Sequence, residues 1–149
     1  MKLTVMVGLP GAGKSFWIAE NKGTSVVVSL DWIRRNIFGH QFHRPAEHYV
    51  IGTAKSCVEL LLAQHQDVIV DSTALTRGIR QEWIDLARKH GAPTDIVYIS
   101  TPYQACLKRN AERCATTRVP DETMQTMMQM FGVPHYSDYT APDVKVVTV

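Results

Sequence analysis

Apolar residues in this chain follow two rhythms. Five short runs are apolar almost without interruption: Leu3 to Val7, Ser25 to Ser29 through Val26-Val27-Val28, Asp67 to Asp71 through Val68-Ile69-Val70, Asp95 to Ser100, and Val144 to Val149. A strand of a parallel sheet covered on both faces requires such a run. Between the runs, apolar positions recur at i, i+3 and i+4. The stretch Ala46 to Gln64 carries Val50, Ile51, Ala54, Cys57, Val58, Leu61 and Leu62, and Arg77 to His90 carries Ile79, Trp83, Leu86 and Ala87 on one face. Shorter helices are predicted over Phe16 to Asn21, after Asp31 as an N-cap, from Pro102 to about Arg113, and from Pro120 with Asp121 and Glu122 in its first turn. Gly91 suits the position just past a helix end. Strands alternating with helices predict a single α/β domain over residues 1–149, three layers deep, with a mostly parallel sheet of about five strands.

Composition narrows the picture. No apolar run approaches the length of a membrane span. The first strand starts so early that no secretory leader is expected. Cys57, Cys106 and Cys114 form neither a pair nor a metal spacing, as expected of free thiols in a reducing bacterial or phage-infected cytoplasm. Cys57 and Cys106 read as small buried residues. The net charge of +2 conceals a segregation: Arg77 to Arg118 holds eight basic and four acidic residues, whereas Val119 to Val149 holds one and four. A basic middle suggests an anionic ligand on that side. The irregular spacing of His40, His43 and His48 argues against a metal site. Met124, Met127, Met128 and Met130 read as core filler on the last helix.

The chemistry starts in Gly8-Leu9-Pro10-Gly11-Ala12-Gly13-Lys14-Ser15, which has the spacing G-x-x-x-x-G-K-[ST] between a strand and a helix. Backbone N–H groups there can cradle a phosphate chain, and glycine permits the close approach. Lys14 reaches the β- and γ-phosphates and Ser15 ligates Mg²⁺. ATP and Mg²⁺ are therefore the expected cofactors, held by Gly8, Pro10, Gly11, Ala12, Gly13, Lys14, Ser15 and Phe16.

In parallel sheets ligands sit beyond the carboxyl ends of the strands. That brings Asp31 and Asp71 beside the phosphate loop. Asp31 suits a catalytic base; it also suits a plain helix cap. Asp71 suits a carboxylate that holds Mg²⁺ or orients its neighbours. Arg34, one turn past Asp31, can bind an anionic acceptor or simply pair with Asp31. Thr73 lies close enough to touch acceptor or phosphate. Arg77 and Arg80 either bind phosphate or lie on a solvated helix face. His43 and Arg44 suit acceptor contacts. The broken pattern from Arg109 to Val119, with Arg109, Arg113 and Arg118, describes a lid that brings arginines to the triphosphate.

These pieces together resemble the kinase domain of phage polynucleotide 5′-hydroxyl kinases and their P-loop relatives. The matching segments are Gly8 to Ser15, Ser29-Leu30-Asp31-Trp32-Ile33-Arg34, Asp71-Ser72-Thr73, and Lys108-Arg109-Asn110 to Arg113 followed by Arg118-Val119-Pro120. The resemblance implies that Asp31 is the general base, Arg34 holds the acceptor's phosphate, Asp71 stands near both, and Arg113 reaches the donor phosphates. Ala74 stands where the family commonly has Asn, and no D-x-D-G-T segment for a phosphatase half is present. The expected activity is transfer of the γ-phosphoryl group of ATP to a hydroxyl on a polynucleotide, either a 5′ end or a hydroxymethylated base in phage DNA. Related small kinases act on sugars, antibiotics or nucleotide sugars. An NTP-driven switch is disfavoured, since no N-K-x-D segment for guanine occurs.

Overall fold

A computed structural model describes residues 1–39 and 42–149 of the chain; His40 lies outside the described residues. Five strands form one sheet: β1 (Leu3–Val7), β2 (Val26–Ser29), β3 (Val68–Asp71), β4 (Thr94–Tyr98) and β5 (Val144–Thr148). Their order is β2-β3-β1-β4-β5, and every neighbouring pair is parallel. Among the described residues there are six α-helices: α1 (Lys14–Asn21), α2 (Leu30–Asn36), α3 (Glu47–Ala63), α4 (Arg77–Lys89), α5 (Tyr103–Ala111) and α6 (Asp121–Met130). None is long and apolar enough to cross a membrane.

The period of two along β1 divides the core between the two faces of the sheet. Leu3, Val5 and Val7 pack with Val50, Ala54, Val58 and Leu62 of α3 and with Trp83, Ile84 and Ala87 of α4. Met6 points the other way, to Ile18 of α1, Cys106 of α5 and Met124 of α6. The result is the three-layer architecture expected from the sequence, with a sheet that is parallel throughout. Because β1 is central, all five of its residues are buried, whereas the edge strand β5 alternates between half-buried and exposed.

Several boundaries and faces differ from expectation. Helix α2 is capped by Ser29, whose Oγ accepts from the Trp32 N–H, so Asp31 sits in the first turn rather than at the cap. Pro102 and Pro120 occupy the cap positions of α5 and α6 instead of the first helical position. On α4 the buried stripe runs through Arg80, Trp83, Ile84 and Ala87, leaving Ile79 exposed. Met124 is core, but Met128 and Met130 are exposed because α6 turns only one side to the sheet. Gly91 does follow the end of α4, in the left-handed region at φ 67°. Cys106 is buried, Cys57 half-buried and Cys114 exposed; all three are free thiols.

Candidate active site

The loop between β1 and α1 is built to hold its shape without a ligand. Gly11 and Gly13 adopt φ of 83° and 107°. A Cβ on Gly11 would lie 2.7 Å from the Cys106 carbonyl oxygen, so α5 packs directly on this glycine. The Lys14 ammonium donates to the Gly8 and Leu9 carbonyls at 2.9 and 3.1 Å. Arg109 of α5 donates to the Gly11 and Ala12 carbonyls at 3.2 and 3.3 Å, and the Thr101 hydroxyl donates to the Ala12 carbonyl. From the other side, the Gly8 N–H donates to the Thr73 carbonyl at 3.1 Å. Thr73 thus braces the loop through its backbone. Phe16 is exposed just after Ser15.

A polar cleft of about 440 Å³ opens beside this loop. Ser15, Asp71 and Arg113 line it on the loop side, with Thr117 nearby. Ser29, Asp31, Trp32, Arg35 and Asn36 line it on the α2 side. Ser29 and Asp71 are level in the β2–β3 register, so the residue that caps α2 stands beside the Asp71 carboxylate and draws its carboxyl downward. Burial pushes the Asp71 carboxyl above its ordinary range; Lys14 opposes this and Asp31 adds to it. Burial also pulls the Lys14 ammonium below its usual value, against the attraction of Asp71 and with the repulsion of Arg113. Both shifts have the sign expected of charged groups taken out of water, and the mutual attraction of the two opposes each.

Arg34 does not line the cleft. Its Nε donates to Glu47 at 3.0 Å, its Nη2 to the other oxygen of the same carboxylate, and its Nη1 to Asp31 at 2.5 Å. The two carboxylates, Glu47 foremost, hold this guanidinium above its usual value despite its burial. The sequence offered Arg34 either as a fork for an acceptor phosphate or as the partner of Asp31; the structure places it against Asp31 and against Glu47 of α3. Nothing in the sequence around Arg34 announces Glu47, which starts another helix.

The segment expected to form a lid has a definite anchor. The Asn110 side chain, fully buried, donates to the Val119 carbonyl at 2.6 Å and accepts from the Val119 N–H at 2.9 Å. Between these points the chain makes a turn in which Arg118 donates to the Arg113 carbonyl at 2.8 Å. Arg113 faces the cleft; Arg109 belongs to the loop's bracing and Arg118 to the lid's own turn.

Three further expectations meet a different placement. Arg77 donates to the Asp138 carbonyl at 2.7 Å and lies over the Tyr139 ring, away from the cleft lining. Arg80 is 1% exposed and neither solvated nor open to phosphate. It donates to the Ala74 and Leu75 carbonyls and to the Tyr139 hydroxyl, holding the loop after β3, where Ala74 has φ 42°. Its place on the i, i+3, i+4, i+7 stripe with Trp83, Ile84 and Ala87 was the sequence signal for burial. His43 is exposed ahead of a short 3₁₀ turn and does not line the cleft.

The fold and the loop define a P-loop kinase domain. Residues 3–134 match the family model AAA_33, an AAA domain, and the chain belongs to that family. A curated relative, the L-seryl-tRNA(Sec) kinase of Methanococcus maripaludis, is 27% identical over 98% of this chain and 59% of its own length. The Pnkp1/Rnl/Hen1 complex superposes with a TM-score of 0.65 at 25% identity, over 80% of this chain and 41% of that one. A gluconokinase from Sinorhizobium meliloti 1021 superposes with a TM-score of 0.62 at 20% identity, over 99% and 82%. The chain thus spans well under two thirds of the tRNA kinase and of the Pnkp1 complex chain.

ATP is the donor in this class, with Mg²⁺ its usual partner ion. The donor set fits that ion: the Ser15 hydroxyl and the Asp71 carboxylate are hard oxygen groups lining one cleft.

Proposed function

We propose that this kinase transfers the γ-phosphoryl group of ATP to a hydroxyl of a nucleic acid, either a 5′ end or a hydroxymethyl group on a base. The observation that carries the transfer reading is Asp31, which shares one cleft with Ser15, Asp71 and Arg113. A carboxylate there can take the proton of the acceptor hydroxyl as its oxygen bonds to the γ-phosphorus. The bond from that phosphorus to the β–γ bridging oxygen breaks, and ADP leaves. Arg34 acts as a positioning residue, its Nη1 holding Asp31 while Glu47 holds Arg34. Lys14 and the loop N–H groups bind the donor phosphates, and Arg113 meets the charge on the transferring group. When bound, Mg²⁺ neutralises charge on the β- and γ-oxygens; Ser15 and Asp71 would hold it.

Two RNA-linked names among the relatives, a tRNA kinase and an RNA repair complex, support a nucleic acid acceptor. The gluconokinase favours a second reading, a small-molecule acceptor. Consumption of ATP with single-stranded DNA, RNA, duplex DNA bearing hydroxymethylated bases, and a panel of sugars and nucleotide sugars separates them. Stimulation by a polynucleotide with phosphate transferred to it is the expected result. Stimulation by a metabolite alone overturns the reading.

A further inference from the structure

Arg34 and Arg35 are neighbours on α2 with opposite circumstances. Each nitrogen of Arg34 donates to a carboxylate, and two carboxylates flank its single charge. That cluster is net negative, so it repels an incoming phosphate. Arg35 is exposed on the cleft wall, and no carboxylate or carbonyl among the described residues pairs with it. Three residues earlier, on the same side of the helix, Trp32 also lines the cleft and is 59% exposed. The Asn36 amide donates to the Trp32 carbonyl at 2.9 Å and steadies this short helix.

The geometry points to an acceptor subsite formed by Trp32 and Arg35: Trp32 stacks on the nucleobase of the acceptor nucleotide and Arg35 binds its phosphate. This rests on the nucleic acid reading above and names the residues that read that acceptor. An indole more than half exposed on the rim of a polar cleft offers a surface on which any base can stack. A guanidinium that makes no ion pair among the described residues suits the strand's phosphate. Glu47 sets the choice between the two arginines, because by occupying Arg34 it leaves Arg35 as the cation available on α2. The subsite stands beside Asp31, and Arg113 faces it across the cleft from the lid. A strand held on α2 therefore presents its hydroxyl between the base and the donor side.

The test uses the wild-type chain and the variants Trp32→Ala, Trp32→Phe, Arg35→Ala and Arg34→Ala. The probe is a fluorescently labelled single-stranded oligonucleotide, followed by anisotropy across a salt series and by steady-state transfer from ATP. Trp32→Ala should raise the oligonucleotide KM and Kd about tenfold while the ATP KM holds, and Trp32→Phe should recover most of the loss. Arg35→Ala should weaken binding and reduce the slope of log Kd against log salt by about 0.7, the share of one phosphate contact on a single strand. Arg34→Ala should lower kcat with the slope unchanged. Wild-type affinity and slope in both Trp32→Ala and Arg35→Ala, with transfer to the oligonucleotide intact, would overturn the subsite alone. Loss of the slope in Arg34→Ala but not in Arg35→Ala would overturn it as well. If the wild-type chain neither binds nor phosphorylates any polynucleotide but consumes ATP with a metabolite, the subsite and the acceptor reading fall together.

Discussion

The two walls of the cleft are made on different terms. On the donor wall, the phosphate loop is braced by the protein itself. Lys14 and Arg109 are tied to carbonyls of the phosphate loop, Thr73 receives the Gly8 N–H, and α5 rests on Gly11 with no room for a side chain. On the α2 wall, Trp32 and Arg35 stand in solvent with nothing to hold. Asp31 there is held by Arg34, and the Asn36 amide bonds the Trp32 carbonyl. The contrast is between a phosphate loop tied down by neighbouring elements and a short helix whose largest cleft-lining side chains stand open.

The sharpest way to break this contrast is Lys14→Ala. It should reduce transfer by roughly 10³-fold, as loss of a positioned charge on the transferring group does. Since burial already disfavours the Lys14 ammonium, Tm should hold or rise. Calorimetry beside a transfer assay checks both, and a collapse of Tm would show that the donor wall needs Lys14 for folding.

Next comes Asp31→Asn, which keeps the side chain's size but removes the base. It should lower kcat by roughly 10²-fold with the ATP KM unchanged. A large rise in the ATP KM would mean that the two walls are not separable.

Asp71→Asn should cost activity yet raise the Tm of the ligand-free protein by a few degrees at neutral pH. The sign follows from linkage. The folded-state carboxyl lies above its unfolded value, so its ionisation opposes folding, and this destabilisation develops as pH rises from the unfolded value through the folded one. The gain in Tm should therefore shrink as pH falls into the ordinary carboxylate range. Thermal melts of both proteins across acidic and neutral buffers decide it.

The smallest effect concerns the lid. Cys114 is exposed there, and bonds with the Thr116 and Thr117 hydroxyls lower its thiol to about 7. Alkylation at Cys114 should rise with pH through that value, because only the thiolate reacts, and should outpace buried Cys106 at neutral pH. A non-hydrolysable ATP analogue should slow it if the lid moves onto the donor wall. Mass-spectrometric labelling with and without analogue reads this, and equal rates would argue for a lid indifferent to nucleotide.

What the sequence disclosed follows the same division. The phosphate loop is legible because its work is done by eight contiguous residues between a strand and a helix. The parallel sheet and the three layers follow from uninterrupted apolar runs alternating with periodic ones, whereas the strand order does not. Arg34 was visible as a charged residue one turn from Asp31, but its partner Glu47 is 13 residues away and on another helix, so local spacing carries no trace of the pair. Arg80 shows the converse: its phase on the α4 stripe pointed inward, and the habit of reading arginine as surface obscured it. Trp32 drew no reading of its own, because periodicity on a seven-residue helix is too short to tell the core face from the cleft face.

The Asn110–Val119 clasp makes the lid interchangeable. One buried amide closes the segment at its base, so residues between Ala111 and Arg118 form a loop whose ends are set independently of what lies between. For such a loop, doubling the length adds only about 0.6 kcal/mol of closure entropy. Segments of other lengths and sequences can be spliced between those two positions with little penalty to the sheet below. A mutational library confined there would vary the reach of the lid toward the cleft while Arg109, one residue before the clasp, continues to brace the phosphate loop.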